Sequence, residues 1–107
     1  MELKQYQIVL VNLNPTTGSE IKKTRPCVII SPDEMNKHLK TIIVAPMTTT
    51  SRKYPTRIKI NHDQKNGWVV LDQIRTIDKQ SILKLLGKLT SSEITKLKSV
   101  MQEIFVD

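Results

Sequence analysis

One cysteine in 107 residues, Cys27, excludes an intrachain disulfide framework and points to a reducing, cytoplasmic setting. Aromatic residues are also scarce, at 4%, so any core must be built from aliphatic side chains. Long apolar runs are missing. None approaches the roughly 18 residues of a membrane-spanning helix, and the N-terminal MELKQYQ lacks the apolar stretch of a signal peptide. No repeat, low-complexity tract or linker divides the chain, and its length suits a single domain over residues 1–107. Acid is scarce beside base: ten Asp and Glu against seventeen Lys and Arg give a net charge of +7. Such a field favours polyanions, either nucleic acid or an acidic protein. The excess concentrates in residues 20–59, where Lys22, Lys23, Arg25, Lys37, Lys40, Arg52, Lys53, Arg57 and Lys59 face only Glu20, Asp33 and Glu34. These charges do not follow one amphipathic helix, which argues against a membrane surface.

What the sequence does contain is a series of short apolar runs rich in β-branched residues. Residues 6–11, 26–31, 41–45 and 68–72 are bounded by turn formers and predict buried strands, and the alternation of 56–60 predicts a half-exposed one. Asn66-Gly67 reads as a tight turn into the following strand. Ser31-Pro32-Asp33-Glu34 predicts a short helix over 32–38, with Ser31 as its cap. Thr90-Ser91-Ser92-Glu93 is a second capping box, flanked by Leu89 and Ile94 as a hydrophobic staple. The helical spacing of Ile94, Leu97, Val100, Met101, Ile104 and Phe105 predicts a C-terminal amphipathic helix. Residues 78–88 predict a helical turn near 78–82 and then a short strand. The expected fold is mainly β (α+β): a small antiparallel barrel, a short inserted helix and a terminal helix.

Two loops draw the chemistry. Residues 12–25 form a long connection that ends in Ser19, Thr24 and Arg25, all donors to phosphate oxygens. Arg25 stands directly before Pro26 and a buried strand, at a barrel rim, where a guanidinium can face a ligand while its stem packs. Residues 46–55 carry the hydroxyl run Thr48-Thr49-Thr50-Ser51 and then Arg52 and Lys53; plain turn chemistry accounts for Thr49 to Ser51 as well as ligand binding does.

The blocks GSEIKKTRPCVIISP (18–32), VAPMTTT (44–50) and LDQIRTIDK (71–79), in this order, resemble the MazF/PemK family of toxins from toxin–antitoxin pairs. The resemblance runs from about Tyr6 to the C-terminus. It implies an SH3-like β-barrel, a homodimer, sequence-specific endoribonuclease activity on single-stranded RNA, usually mRNA, and neutralisation by a cognate antitoxin. By position it implies that Arg25 and Thr48 are the catalytic pair. Ser19, Glu20 and Gln73 match positions that line the RNA groove of relatives, and Thr49 is taken with them as an RNA contact. The chain departs from many relatives at Ile21 and Lys22-Lys23-Thr24, where they carry glutamine and glycine.

The chemistry is consistent with these residue types. A 2′-hydroxyl is RNA's own nucleophile, so the enzyme must align the strand, move two protons and stabilise a charged phosphorane. Arg25 suits the last task and Thr48 can donate to the same oxygens. Arginine, whose guanidinium holds its proton tightly, is a poor base. Glu20 is the nearest carboxylate, as base or as a base-reading or salt-bridging residue. His38, His62, Cys27, Asp63 and Asp72 show no metal-ligand spacing, so neither a metal nor another cofactor is expected. Cys27 reads as core. Trp68 reads as core or dimer interface before it reads as a stacking surface, for which Tyr54 is the better candidate. Two alternatives remain: a non-catalytic RNA-binding module, and a gyrase-poisoning toxin of the same fold. The second relies on a terminal Trp-Gly-Ile, whereas this sequence reads Phe105-Val106-Asp107.

Overall fold

Every β-branched run singled out above forms a strand. The computed structural model describes residues 2–13, 24–50, 53–62 and 65–106. In chain order the strands are β1 (Gln7–Asn12), β2 (Thr24–Ile29), β3 (Thr41–Thr48), β4 (Arg57–His62), β5 (Lys65–Val70), β6 (Arg75–Asp78) and β7 (Ile82–Lys88). The helices are α1 (Asp33–His38) and α2 (Ser91–Phe105). The strands pair antiparallel in the order β4-β5-β3-β2-β1-β7, and β6 lies beside the first half of β3. The result is a bent antiparallel half-barrel with one short helix and one terminal helix, as the resemblance implies.

Alternation divides the side chains between two cores, one on each face of the sheet. The inner core gathers Ile8, Val28, Ala45, Ile58, Ile60, Val69 and Leu71 beneath Leu97 of α2. The outer core gathers Val9, Val11, Cys27, Ile29, Ile42, Val44 and Ile77.

The start of α2 follows its sequence signature. Thr90 Oγ1 accepts from the Glu93 N–H at 3.2 Å, and Glu93 Oε1 accepts from the Thr90 N–H at 2.9 Å. The second carboxylate oxygen, Oε2, accepts from the Asn61 N–H at 2.9 Å, so one buried side chain caps the helix and ties it to β4. Leu97, 1% exposed, then plugs the inner core. Leu97→Ala is expected to cost about 2–5 kcal/mol, from lost transfer energy plus the cavity left behind. A fall in the urea midpoint without a change in slope would report it, and an unchanged midpoint would show that α2 does not anchor the core.

Three local expectations are corrected. Ser31 does not cap α1. The helix begins at Asp33 after Pro32, while the buried Ser31 hydroxyl accepts from the Ile43 N–H at 3.1 Å and pairs with the Asn36 side chain, bracing β3 instead. Asn66-Gly67 is not a turn. Asn61↔Asn66 and Ile60↔Gly67 are ladder pairs, because this register alone keeps Ile58 and Val69 opposite each other in the core. The predicted strand at 68–72 ends early, since Leu71–Gln73 form a 3-10 turn. That turn lets the chain leave β3 after β5 and rejoin it as β6. The 3-10 turn at Lys79–Ser81 followed by β7 matches the reading of 78–88.

Candidate RNA-cleavage site

The register between β2 and β3 builds the site. Cys27↔Pro46, Val28↔Ala45 and Ile29↔Val44 are paired, so continuing the ladder two residues sets Arg25 opposite Thr48. Directly opposed residues point to one face of a sheet, and so do residues two apart. Arg25 and Thr48 therefore lie on the same face as the outer core, at the end where buried side chains give way to exposed ones. Val11, opposite Arg25 on β1, is fully buried there. The arginine stem thus rises from an apolar floor with its guanidinium outward.

Thr48 is fixed by the turn that follows it. Thr48 Oγ1 donates to the Thr50 carbonyl at 2.9 Å and accepts from the Thr50 N–H at 3.3 Å, which fixes the hydroxyl at the strand end. Thr49, beside it, is exposed. No carboxylate among the described residues forms an ion pair with Arg25. A second arginine shares the face: Arg75 is opposite Val44 at the start of β6, and both guanidiniums act on the Cys27 thiol. Burial still dominates at Cys27 and pushes the thiol up to about 12, so it stays protonated at neutral pH. Its Sγ points back to the Arg25 carbonyl at 3.7 Å. Cys27 is core, as its apolar run indicates, and not a nucleophile.

Arg75 was missed among the site residues, although it sits inside the block LDQIRTIDK. Its signal is long-range: only the β3–β6 register brings it to the face that carries Arg25. Gln73 ends the 3-10 turn between the two stretches of chain that pair with β3, and it is exposed. It stands nearer the middle of β3 than Thr48, and among the described residues no hydrogen bond joins it to the pair. Ser19 and Glu20 lie outside the described residues.

Behind Thr48 the rim opens into a cleft of about 320 Å³, lined by Pro26, Met47, Thr48, Thr49, His62 and Leu86 among others. His62 ends β4 and does not sit in a turn. Its ring lies so close to Gly87 of β7 that a Cβ there would fall 2.8 Å from Cε1, which explains a glycine in mid-strand. Asp72, next to Gln73, has a structural task. It accepts from Thr56 Oγ1 at 2.9 Å and Arg57 Nε at 3.2 Å, and the Arg57 bond chiefly holds its carboxyl below the usual range. Arg57 in turn lies under the Tyr54 ring, 4.8 Å from its centroid. No three His, Cys, Asp or Glu side chains gather into a metal-binding group among the described residues. No helix among them is long and apolar enough to cross a membrane.

Comparison with known proteins agrees with this fold. Residues 4–105 match the family described as "PemK-like, MazF-like toxin of type II toxin-antitoxin system". The endoribonuclease MazF of Staphylococcus epidermidis is 32% identical over 105 residues, covering 92% of this chain and 88% of that protein. The fold superposes on MazF in a MazE–MazF crystal structure from Deinococcus radiodurans with a TM-score of 0.84, at 20% identity, covering 97% and 96% of the two chains. A mycobacterial endoribonuclease solved with its cognate antitoxin gives 0.80 at 24% identity, covering 94% and 92%.

Proposed function

Because the chain belongs to the PemK-like, MazF-like toxins of type II toxin–antitoxin systems, we propose that it is a metal-independent endoribonuclease that cuts single-stranded RNA, foremost mRNA, at a defined sequence. The observation that carries this is the β2–β3 register, which brings Arg25 and Thr48 to one exposed rim. A phosphodiester seated there places a non-bridging oxygen against the guanidinium fork, and the Thr48 hydroxyl reaches the same group by turning its single proton from the Thr50 carbonyl to the phosphate. The neighbouring 2′-hydroxyl attacks phosphorus and gives its proton to solvent, the 5′-oxygen leaves and takes a proton from solvent, and the extra negative charge of the phosphorane falls on Arg25. Arg25 acts as a fixed cation and not as a base, since a guanidinium offers donors and no acceptor. Arg75 adds positive potential on the same face and draws the RNA backbone toward it.

The proposed toxin works in the cytoplasm as a homodimer, for which the exposed Leu83 and Leu85 of the terminal strand β7 supply apolar surface. Its antitoxin is an acidic, partly disordered segment that competes with RNA for the basic face, so a saturated toxin–antitoxin complex does not cut. Digestion of a long RNA in EDTA, with end mapping, tests the activity. Discrete cuts at a recurring sequence are expected. Salt-sensitive binding without scission would instead make the protein a non-catalytic RNA-binding module.

A further inference from the structure

Trp68, expected in a core or a dimer interface, belongs to neither core of this chain; it is half-buried on the outer face of β5. Its position there is set by register. Thr48 pairs with Trp68 across β3 and β5, and Trp68 pairs with Lys59 across β5 and β4. With Arg25 opposite Thr48, the four residues form one row across four strands, Arg25–Thr48–Trp68–Lys59, all on one face. Strands lie about 5 Å apart, so the indole is one spacing from the catalytic threonine and two from the arginine.

Past Trp68 the sheet ends at its edge strand β4, where a groove of about 790 Å³ opens between β4 and α2 and is reached by both Trp68 and Lys59. Tyr54 and Trp68 supply its aromatic surface, and Lys53, Lys59 and Lys96 its charge. No acidic side chain lines it among the described residues; Asp72, close by, is occupied by Arg57. Aromatic faces set among cations suit single-stranded nucleic acid, whose bases stack while its phosphates meet lysine. Continuity with the Arg25–Thr48 rim selects RNA over an acidic peptide as the occupant.

We infer that Trp68, flanked by Lys59, is a base-stacking subsite for the RNA nucleotide next to the cut, and that the strand continues from it into the groove between β4 and α2. This rests on the ribonuclease reading. Trp68 touches a flanking base and not the reacting phosphate, so its removal raises KM and leaves kcat near its wild-type value.

The chain has one tryptophan, so its emission reports on this position alone. The probe is a labelled 2′-O-methyl oligonucleotide spanning a mapped cut site, with binding followed by anisotropy and Trp68 by fluorescence. Saturation is expected to quench the emission, and Trp68→Leu to weaken binding about tenfold. An abasic nucleotide at one position beside the cut is expected to weaken wild-type binding similarly and to add nothing in Trp68→Leu. Unchanged emission at saturation, or equal affinity of a folded Trp68→Leu, overturns the inference. So does an emission change with a poly-glutamate peptide but not with the oligonucleotide, which would mark a protein-docking face. If RNA is cut in an Arg25-dependent way while Trp68 stays silent, only the subsite fails. If the wild type cuts no RNA, both readings fail.

Discussion

Arg25→Ala is expected to lower the RNA-cleavage rate at saturating substrate by roughly 10²–10³-fold, the usual cost of losing one preorganised donor to a developing oxyanion. The loss belongs in kcat, because the charge that Arg25 meets grows only as the phosphorane forms. RNA binding should weaken far less, since Arg75 and the lysines around Trp68 still attract the backbone. The fold should survive. Arg25 is exposed, no carboxylate among the described residues pairs with it, and the core beneath it is made by Val11 and Cys27. Arg25→Lys separates charge from geometry. Lysine restores the point charge without the planar fork, so an intermediate rate is expected. Single-turnover cleavage of an oligonucleotide carrying one mapped site, with thermal melting of each variant as a control, reads all of this. Wild-type kcat in a folded Arg25→Ala would move the phosphorane-stabilising role elsewhere, with Arg75 the first residue to examine.

What could be read from the sequence divides along locality. The terminal helix, its capping box and its staple depend on residues within a turn or two of one another, and each appears where the spacing places it. The same holds for the 3-10 turn before β7. Features decided across strands were read less well. Asn66-Gly67 has turn chemistry, but the need to keep Ile58 and Ile60 inward set the ladder and drew both residues into β5. Ser31 has cap chemistry, but the Ile43 N–H claimed its hydroxyl. The candidate site is an extreme case. Arg25 and Thr48 come from different strands, and no periodicity reports their pairing; before the structure, only the likeness of three motifs joined them. Arg75 and Trp68 show the reverse. Both sit in or beside familiar stretches, yet their common face with Arg25 and Thr48 follows only from the registers of β6 and β5 against β3.

The second large effect lies in the substrate. A chimeric oligonucleotide with a single 2′-deoxy residue on the 5′ side of the mapped cut is expected to resist cleavage completely, in EDTA as in its absence. The same substitution one or more residues away should leave the rate nearly unchanged. The rim explains why. Arg25 and Thr48 can stabilise a phosphorane, but neither generates a nucleophile: a guanidinium offers donors and no acceptor, and the threonine hydroxyl is held by Thr50. In the proposed mechanism the attacking oxygen is the one RNA carries beside its own phosphorus, and well-oriented neighbouring groups reach effective molarities of about 10⁵–10⁸ M. Deleting that oxygen forfeits the whole advantage while leaving the phosphate, the bases and their contacts in place. The deoxy chimera should accordingly bind as tightly as the all-RNA strand and act as a competitive inhibitor of its cleavage. Cutting of the chimera at the same step and at a comparable rate would show that water attacks instead, and the Arg25–Thr48 rim would then need a general base beside it.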